Sequence, residues 1–288
     1  MPMLVIEGSY RVLGARPDGD SVRFLPADPA HWDLVPGPHR VRSNRSGAAQ
    51  VRLDGIDALE THYIPAHGSE LQQPAPFGED AADELTAWLG FAAVLRDGHG
   101  TVTSSEPATV PGFVLTRGAD VNGRCVALAG RGTAPAPGGT QLHVDAALLR
   151  QTANLHQLRT GLAYPTFYRK LFVELREAMT GAVLLARSEG RGLWPADRTL
   201  SGAKIDGLAS LSESEVLLPK LFRRLADYLT LGAGDPSLAG FRAYLDQRED
   251  RVLVLSRSQF TGLSTVVETE GQSIRLTVPP EDLVFEER

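Results

Sequence analysis

Acidic and basic side chains recur at short, fixed spacings in three stretches of this 288-residue chain. PDGDSVRF at 17–24 carries Asp18 and Asp20, VRLDGIDALE at 51–60 carries Arg52, Asp57 and Glu60, and RGADVNGR at 117–124 carries Asp120 and Arg124. Carboxylates can hold a hard cation or take a proton from water, and guanidinium groups grip anionic oxygens. Each stretch also has a plain structural reading. Asp18-Gly19-Asp20 suits a hairpin turn, and Asp57 with Glu60 fits a solvated strand end. A fourth fragment, GLW at 192–194, has no charge and matters through its place in the order.

Taken in order, the four fragments resemble the staphylococcal nuclease, or thermonuclease, family over about residues 4–196. That family's pattern runs DGDT, then R-x-x-x-(I/V)-D-(A/T)-P-E, then D-x-x-G-R, then a helix leading to Leu-Trp. The internal spacings agree: Arg52 lies five residues before Asp57, Asp57 three before Glu60, and Asp120 four before Arg124. LHQLRTGLA also resembles the family's helix and turn before its C-terminal helix.

A small C-terminal α+β domain, expected over 197–288 from the residue pattern, lies outside the resemblance, which implies for 1–196 an α+β fold, a five-stranded OB-fold-type β-barrel with packed helices. The resemblance also implies a metal-dependent nuclease that hydrolyses DNA or RNA. Phosphodiesters resist attack because their oxygens are anionic and their leaving group is poor, so a cation, an activated water and charge-stabilising donors are needed together. By resemblance Asp20, Asp57 and the backbone carbonyl of Ala58 are ligands of a divalent cation, Ca²⁺ in the family, with Mg²⁺ or Mn²⁺ also suited to such oxygens. Glu60 is then the base for the attacking water, and Arg52 and Arg124 hold the phosphoryl oxygens. Asp18 and Asp120 read as second-rank or structural residues, and Phe167 or Tyr168 as rings for stacking on a base.

Departures from the family pattern bear mainly on substrate grip. Leu59 stands where proline is usual, and Ser21 replaces threonine. Val121 and Asn122 occupy positions where the family's type member touches a terminal phosphate. The loops before Arg52 and after Glu60 are long and hold His31, His39, His62 and His67, which lack the paired spacing of a second metal site. Two other function classes fit the same residues: a nucleic-acid-binding scaffold that has lost turnover, and a hydrolase of smaller phosphodiesters.

The elements that must position these residues follow from periodicity. Strands are expected over 4–14 and 21–25, joined through ARPDGD, then at QVRLDGI, 112–116 and 124–129. Ala81, Leu85, Trp88, Leu89 and Ala92 predict a helix over roughly 79–92. LHVDAALLRQTANLHQL predicts a helix ending at Gly161, and residues 166–190 a longer one with a stripe of Tyr168, Leu171, Phe172, Leu175, Met179, Ala182 and Leu185. A boundary is expected around 195–210. Beyond it, Ser212 with Glu215 resembles a capping box, and Pro219 opens a helix with Leu221, Phe222, Leu225, Tyr228 and Leu229 on one face. DPSLAGFRAYL predicts another helix, and VLVLS, LSTVVET and SIRLTV three strands.

Bulk properties bound the rest. The net charge of −6 is unusual for a nucleic-acid enzyme. From Asp197 onward there are 15 acidic and 11 basic residues, against 20 and 18 before it, so the N-terminal part is closer to neutral. The single cysteine, Cys125, excludes an intrachain disulfide and reads as a core residue. No apolar run reaches membrane-spanning length and the first residues lack signal-peptide character, so a cytoplasmic protein without membrane contact is expected. Nucleic acid is the expected partner, and residues 197–288 are a surface for a protein partner or self-association.

Overall fold

The computed structural model describes residues 2–232 and 235–286. Strand β1 (Pro2–Arg11) pairs antiparallel with β2 (Ser21–Pro26), and β2 with β3 (Ala49–Leu53). A short strand, β4 (Ile56–Ala58), helix α1 (Phe77–Leu89) and a hairpin, β5 (Ala93–Arg96) and β6 (Val102–Glu106), follow. Strands β7 (Val110–Ala119) and β8 (Cys125–Arg131) then complete the sheet. Because β3 pairs in parallel with β8, β8 with β7, and β7 with β1, the five strands β1, β2, β3, β8 and β7 close on themselves as an OB-like barrel. Closure leaves no exposed edge among them. Along β3 the alternation is clean: Val51 and Leu53 point into the core, while Gln50 and Arg52 point out.

Strand β9 (Gln141–His143) extends the sheet beside β1, and helices α2 (Ala146–Leu149) and α3 (Ala153–Thr160) follow. The sequence predicts one helix here, and the structure contains a strand and two short helices instead. The break arises because Asp145 and Thr152 each cap the helix that follows, through Leu148 N–H and Leu155 N–H.

Next come β10 (Ala163–Pro165), β11 (Phe167–Tyr168) and α4 (Val173–Ser188). Helix α4 starts later than periodicity predicts because Phe167 and Tyr168 are drawn into a sheet. Its buried face is Leu175, Met179, Val183 and Ala186, whereas Leu185 is 51% exposed. Helix α1 likewise ends at Gly90, in the left-handed conformation, so Ala92 lies beyond it.

The C-terminal portion comprises β12 (Ala203–Lys204), α5 (Pro219–Leu231), α6 (Phe241–Arg248), and strands β13 (Arg251–Val254), β14 (Gln259–Gly262), β15 (Val267–Glu270), β16 (Ser273–Leu276) and β17 (Leu283–Phe285). The expected capping box does not form. Ser212 donates to the Leu208 carbonyl, and α5 opens at Pro219 with Leu218 as an uncapped N-cap. The strand expected at LSTVVET is a tight helical turn over 263–266 followed by β15.

Sheet pairing crosses residue 196. Strand β17 lies parallel to β11 and antiparallel to β13, so the end of the chain shares a sheet with residues that precede α4. Tyr164 also donates to Asp197 at 2.6 Å, and Arg187 makes a two-pronged pair with Glu281. Leu221, Phe222, Leu225, Ala226 and Leu229 bury one face of α5. None of the helices among the described residues is long and apolar enough to cross a membrane.

Candidate active site

Asp20 sits at the end of the β1–β2 connection, and the connection is pinned at two successive carbonyls. Leu53 N–H donates to the Asp20 carbonyl at 2.7 Å, and the buried Gln157 amide donates to the carbonyls of Gly19 and Ala81 at 2.8 and 2.7 Å. Gly19 is needed for close approach, since a Cβ there would lie 2.4 Å from the Ala81 methyl and 2.6 Å from that of Ala58. Asp18 accepts from Asp20 N–H at 3.3 Å and acts within the turn.

Arg52 leaves the outer face of β3, and the chain reverses through Asp54-Gly55 into β4, which carries Asp57. Gly55 has φ of +80°, and a Cβ on it would meet the Met179 sulfur at 2.7 Å and Leu171 at 2.9 Å. This reversal is also held from inside: buried Asn154 donates to the Asp54 and Ala127 carbonyls at 2.8 and 3.1 Å and accepts from Ala129 N–H at 2.9 Å. The result brings Arg52, Asp57 and Asp20 together. Arg52 Nη2 lies 2.9 Å from Asp57 Oδ1 and 3.9 Å from Asp20 Oδ2, and Ala58 contributes its N–H to Asp20 Oδ2 at 3.3 Å. Glu60 is fixed through Gln73, whose side chain accepts from Glu60 N–H and whose N–H donates to the Glu60 carbonyl. Leu59, where the family has proline, is buried.

A second guanidinium reaches the same acids from far along the chain. Arg223, on α5, donates from Nη2 to Asp57 Oδ2 at 2.7 Å and from Nη1 to Asp57 Oδ1 at 3.2 Å, and Nη1 also pairs with Glu60 Oε1. Sequence reading missed this residue. Periodicity places Arg223 and Arg224 alike on the polar side of α5, and nothing local tells them apart.

The helix is anchored where it delivers Arg223. Asp227, one turn on and buried, accepts from the Tyr63 hydroxyl at 2.8 Å, Ala66 N–H at 3.0 Å and Arg248 at 3.3 Å. Gln73 donates to the Leu217 carbonyl at 2.8 Å.

Arg124 lies apart from this cluster. Its Nε donates to Asp120 Oδ2 at 2.6 Å, and Asp120 also accepts from Asn122 and Arg124 N–H groups, so Asp120 shapes the β7–β8 turn. Arg124 directly precedes Cys125, the partner of Val51, so it leaves the sheet on the same face as Arg52. Val121, at the tip of that turn, is exposed. Phe167 is fully buried where β11 pairs with β17, and has no free face to offer a base. Tyr168 is half-buried, 6.0 Å from the Phe285 ring. Cys125 is also buried, and burial pushes its thiol up to about 12, as suits a core residue rather than a nucleophile. His31 lies beside Asp28, and His62 contacts Thr61.

The electrostatics divide the two aspartates. Burial pushes both carboxyls up, but at Asp57 the Arg223 and Arg52 guanidiniums override it and hold the group down at about 2. At Asp20 burial prevails over Arg52, with Asp18, Asp57 and Glu60 adding repulsion, so its carboxyl lies well above the usual range.

Asp20→Asn is therefore expected to stabilise the protein near neutral pH. A raised folded-state pKa contributes stability below the unfolded value that is lost as pH rises through the folded one. Asparagine mimics the protonated acid at every pH, so the gain should be present at neutral pH and vanish near about pH 4, the unfolded-state value. Urea unfolding at both pH values checks this, and an equal gain at both would refute it.

The donor set does not fit the divalent cation that the resemblance implies. Both Asp57 oxygens and one Glu60 oxygen already face guanidinium groups. No group of three or more His, Cys, Asp and Glu among the described residues is arranged to hold a metal ion. Comparison with protein-family models and with curated proteins finds no match to this chain.

Proposed function

We propose that this chain hydrolyses phosphodiester bonds of DNA or RNA at the cluster of Asp20, Arg52, Asp57 and Glu60, with Arg124 on the same side of the barrel. The observation that carries this reading is the convergence of Arg52, Asp57 and Glu60, separated by few residues, with Asp20 from a different connection. Glu60 is the base for the attacking water, and Arg52 and Arg124 stabilise charge on the phosphoryl oxygens. A second feature supports an anionic polymer. Arg117, Arg169, Lys170 and Arg176 line a cleft of about 720 Å³ together with Leu171, Phe172, Val173 and one acid, Glu286, which pairs with Arg169, and Leu171 packs on Gly55 in the turn before Asp57. A local basic track of this kind lets a chain of net charge −6 meet phosphates.

A binding module without turnover is the second reading, favoured by the guanidinium of Arg223 on Asp57 and Glu60. The discriminating experiment incubates the full chain with labelled single- and double-stranded DNA and RNA and with a small aryl phosphodiester, with Ca²⁺, Mg²⁺, Mn²⁺ or chelator. Each arm is repeated in Arg223→Gln, beside Glu60→Gln and Arg124→Ala. Cleavage of polymer that is lost in the Glu60 variant is expected. Polymer affinity without cleavage in any arm supports the binding module, and cleavage of the small ester alone supports a narrower hydrolase. Cleavage that survives both Glu60→Gln and Arg124→Ala sinks the site.

A further inference from the structure

We propose that Arg223 is the resident cation of the acid cluster, so that the C-terminal helix acts as an internal competitor of any divalent cation for Asp57 and Glu60. This deepens the phosphodiesterase reading and rests on its assignment of those two acids. Three observations carry it. The Arg223 fork spans both oxygens of a fully buried carboxylate and reaches a second one, the bidentate geometry in which arginine binds most specifically. Its position is built, because Asp227 on the next turn is held by Tyr63 and Ala66 of the loop that follows Glu60. The charge is also matched, since Arg223 and Arg52 together set two guanidiniums against the carboxylates of Asp57 and Glu60.

A divalent cation entering beside Arg223 and Arg52 would meet two positive groups and no free Asp57 oxygen. It can enter only as the Arg223 side chain leaves. Undocking α5 as a whole would expose Leu221, Phe222, Leu225 and Leu229, so rotation of the one side chain is the cheaper route. The segment expected to offer a surface for a protein partner or self-association thus also has an intramolecular target.

Apparent affinity scales with the fraction of molecules whose site is free. Titration calorimetry of the full chain with CaCl₂ and with MnCl₂ is expected to give affinity at least about tenfold higher for Arg223→Gln than for wild type, with Arg223→Lys between them. Adding Asp57→Asn to Arg223→Gln should abolish the gain. The order arises because an ammonium is a single point charge that cannot span both carboxylates as the guanidinium fork does.

Circular dichroism establishes that each variant is folded. Should Arg223→Gln not fold, Arg223→Lys carries the test, a gain over wild type supporting the proposal and no gain overturning it. Equal affinity in wild type and Arg223→Gln, binding in neither, or a gain that survives Asp57→Asn would each overturn it. Because the readout is cation uptake, uptake without cleavage would sink the hydrolase reading alone, whereas cleavage by Arg223→Gln without a gain in uptake would sink this one alone.

Discussion

Arg223→Ala is expected to lower the stability of the protein by about 3–5 kcal/mol at neutral pH, the cost of breaking a buried, hydrogen-bonded ion pair on one side. The reason is asymmetry. Asp57 has no exposed surface, so losing one of its two guanidiniums leaves a buried carboxylate with Arg52 alone. The pH dependence follows from the sign of the Asp57 shift. A depressed folded-state pKa supplies stability that is present above the unfolded value and is lost as pH falls through the folded value, here about 2.

Without Arg223 that depression is relieved, and the protection disappears at a higher pH. Wild type and variant should therefore differ most near neutrality and converge on acidification. Arg223→Met separates charge from packing, because it keeps an unbranched apolar stem while removing the fork. Urea unfolding of the three proteins from neutral to acid pH is the measurement. A loss equally large at low pH would show that packing, rather than the ion pair, held the helix in place.

Glu60→Gln is expected to reduce phosphodiester cleavage by about 10²- to 10⁴-fold, the usual worth of a positioned general base. The substitution is nearly isosteric, and its remaining side-chain oxygen can still accept from Arg223. Stability should accordingly change far less than in Arg223→Ala. The comparison is sharpest in the Arg223→Gln background, where the Glu60 carboxylate is no longer engaged by the Arg223 guanidinium. There kcat should fall with little change in KM, since Glu60 is assigned to water activation rather than to substrate grip. Arg124→Ala, by contrast, should raise KM as well as lower kcat, because Arg124 is assigned to the phosphoryl oxygens from the ground state onward. Equal effects of the two substitutions on both constants would contradict that division of roles.

Much of this molecule was legible locally. Alternation in QVRLDGI places Arg52 outward on a strand, and the spacing to Asp57 and Glu60 survives as a strand, a glycine turn and a second strand. Gly19 also mattered for a reason that turn propensity alone does not supply, the packing of α1 and β4 against its missing side chain. Helix ends were less legible. Thr152 and Asp145 split one expected helix by capping, and sheet pairing with β17 removed residues 167–168 from another.

By itself the sequence determined that Arg52, Asp57 and Glu60 lie near one another, because short-range strand and turn geometry joins them with few residues between, whereas Arg124, expected with them, lies apart on Asp120. Only the tertiary structure decided that a further arginine answers them. Arg223 and Asp57 stand 166 positions apart, and β11 and β17 are likewise brought together from opposite ends of a long stretch. Contacts over such separations depend on the packing of whole elements, and helical periodicity assigns Arg223 merely to a polar face. Desolvation then makes that placement consequential: on an open surface the same pair would add little, whereas against a buried carboxylate it governs charge, protonation and access.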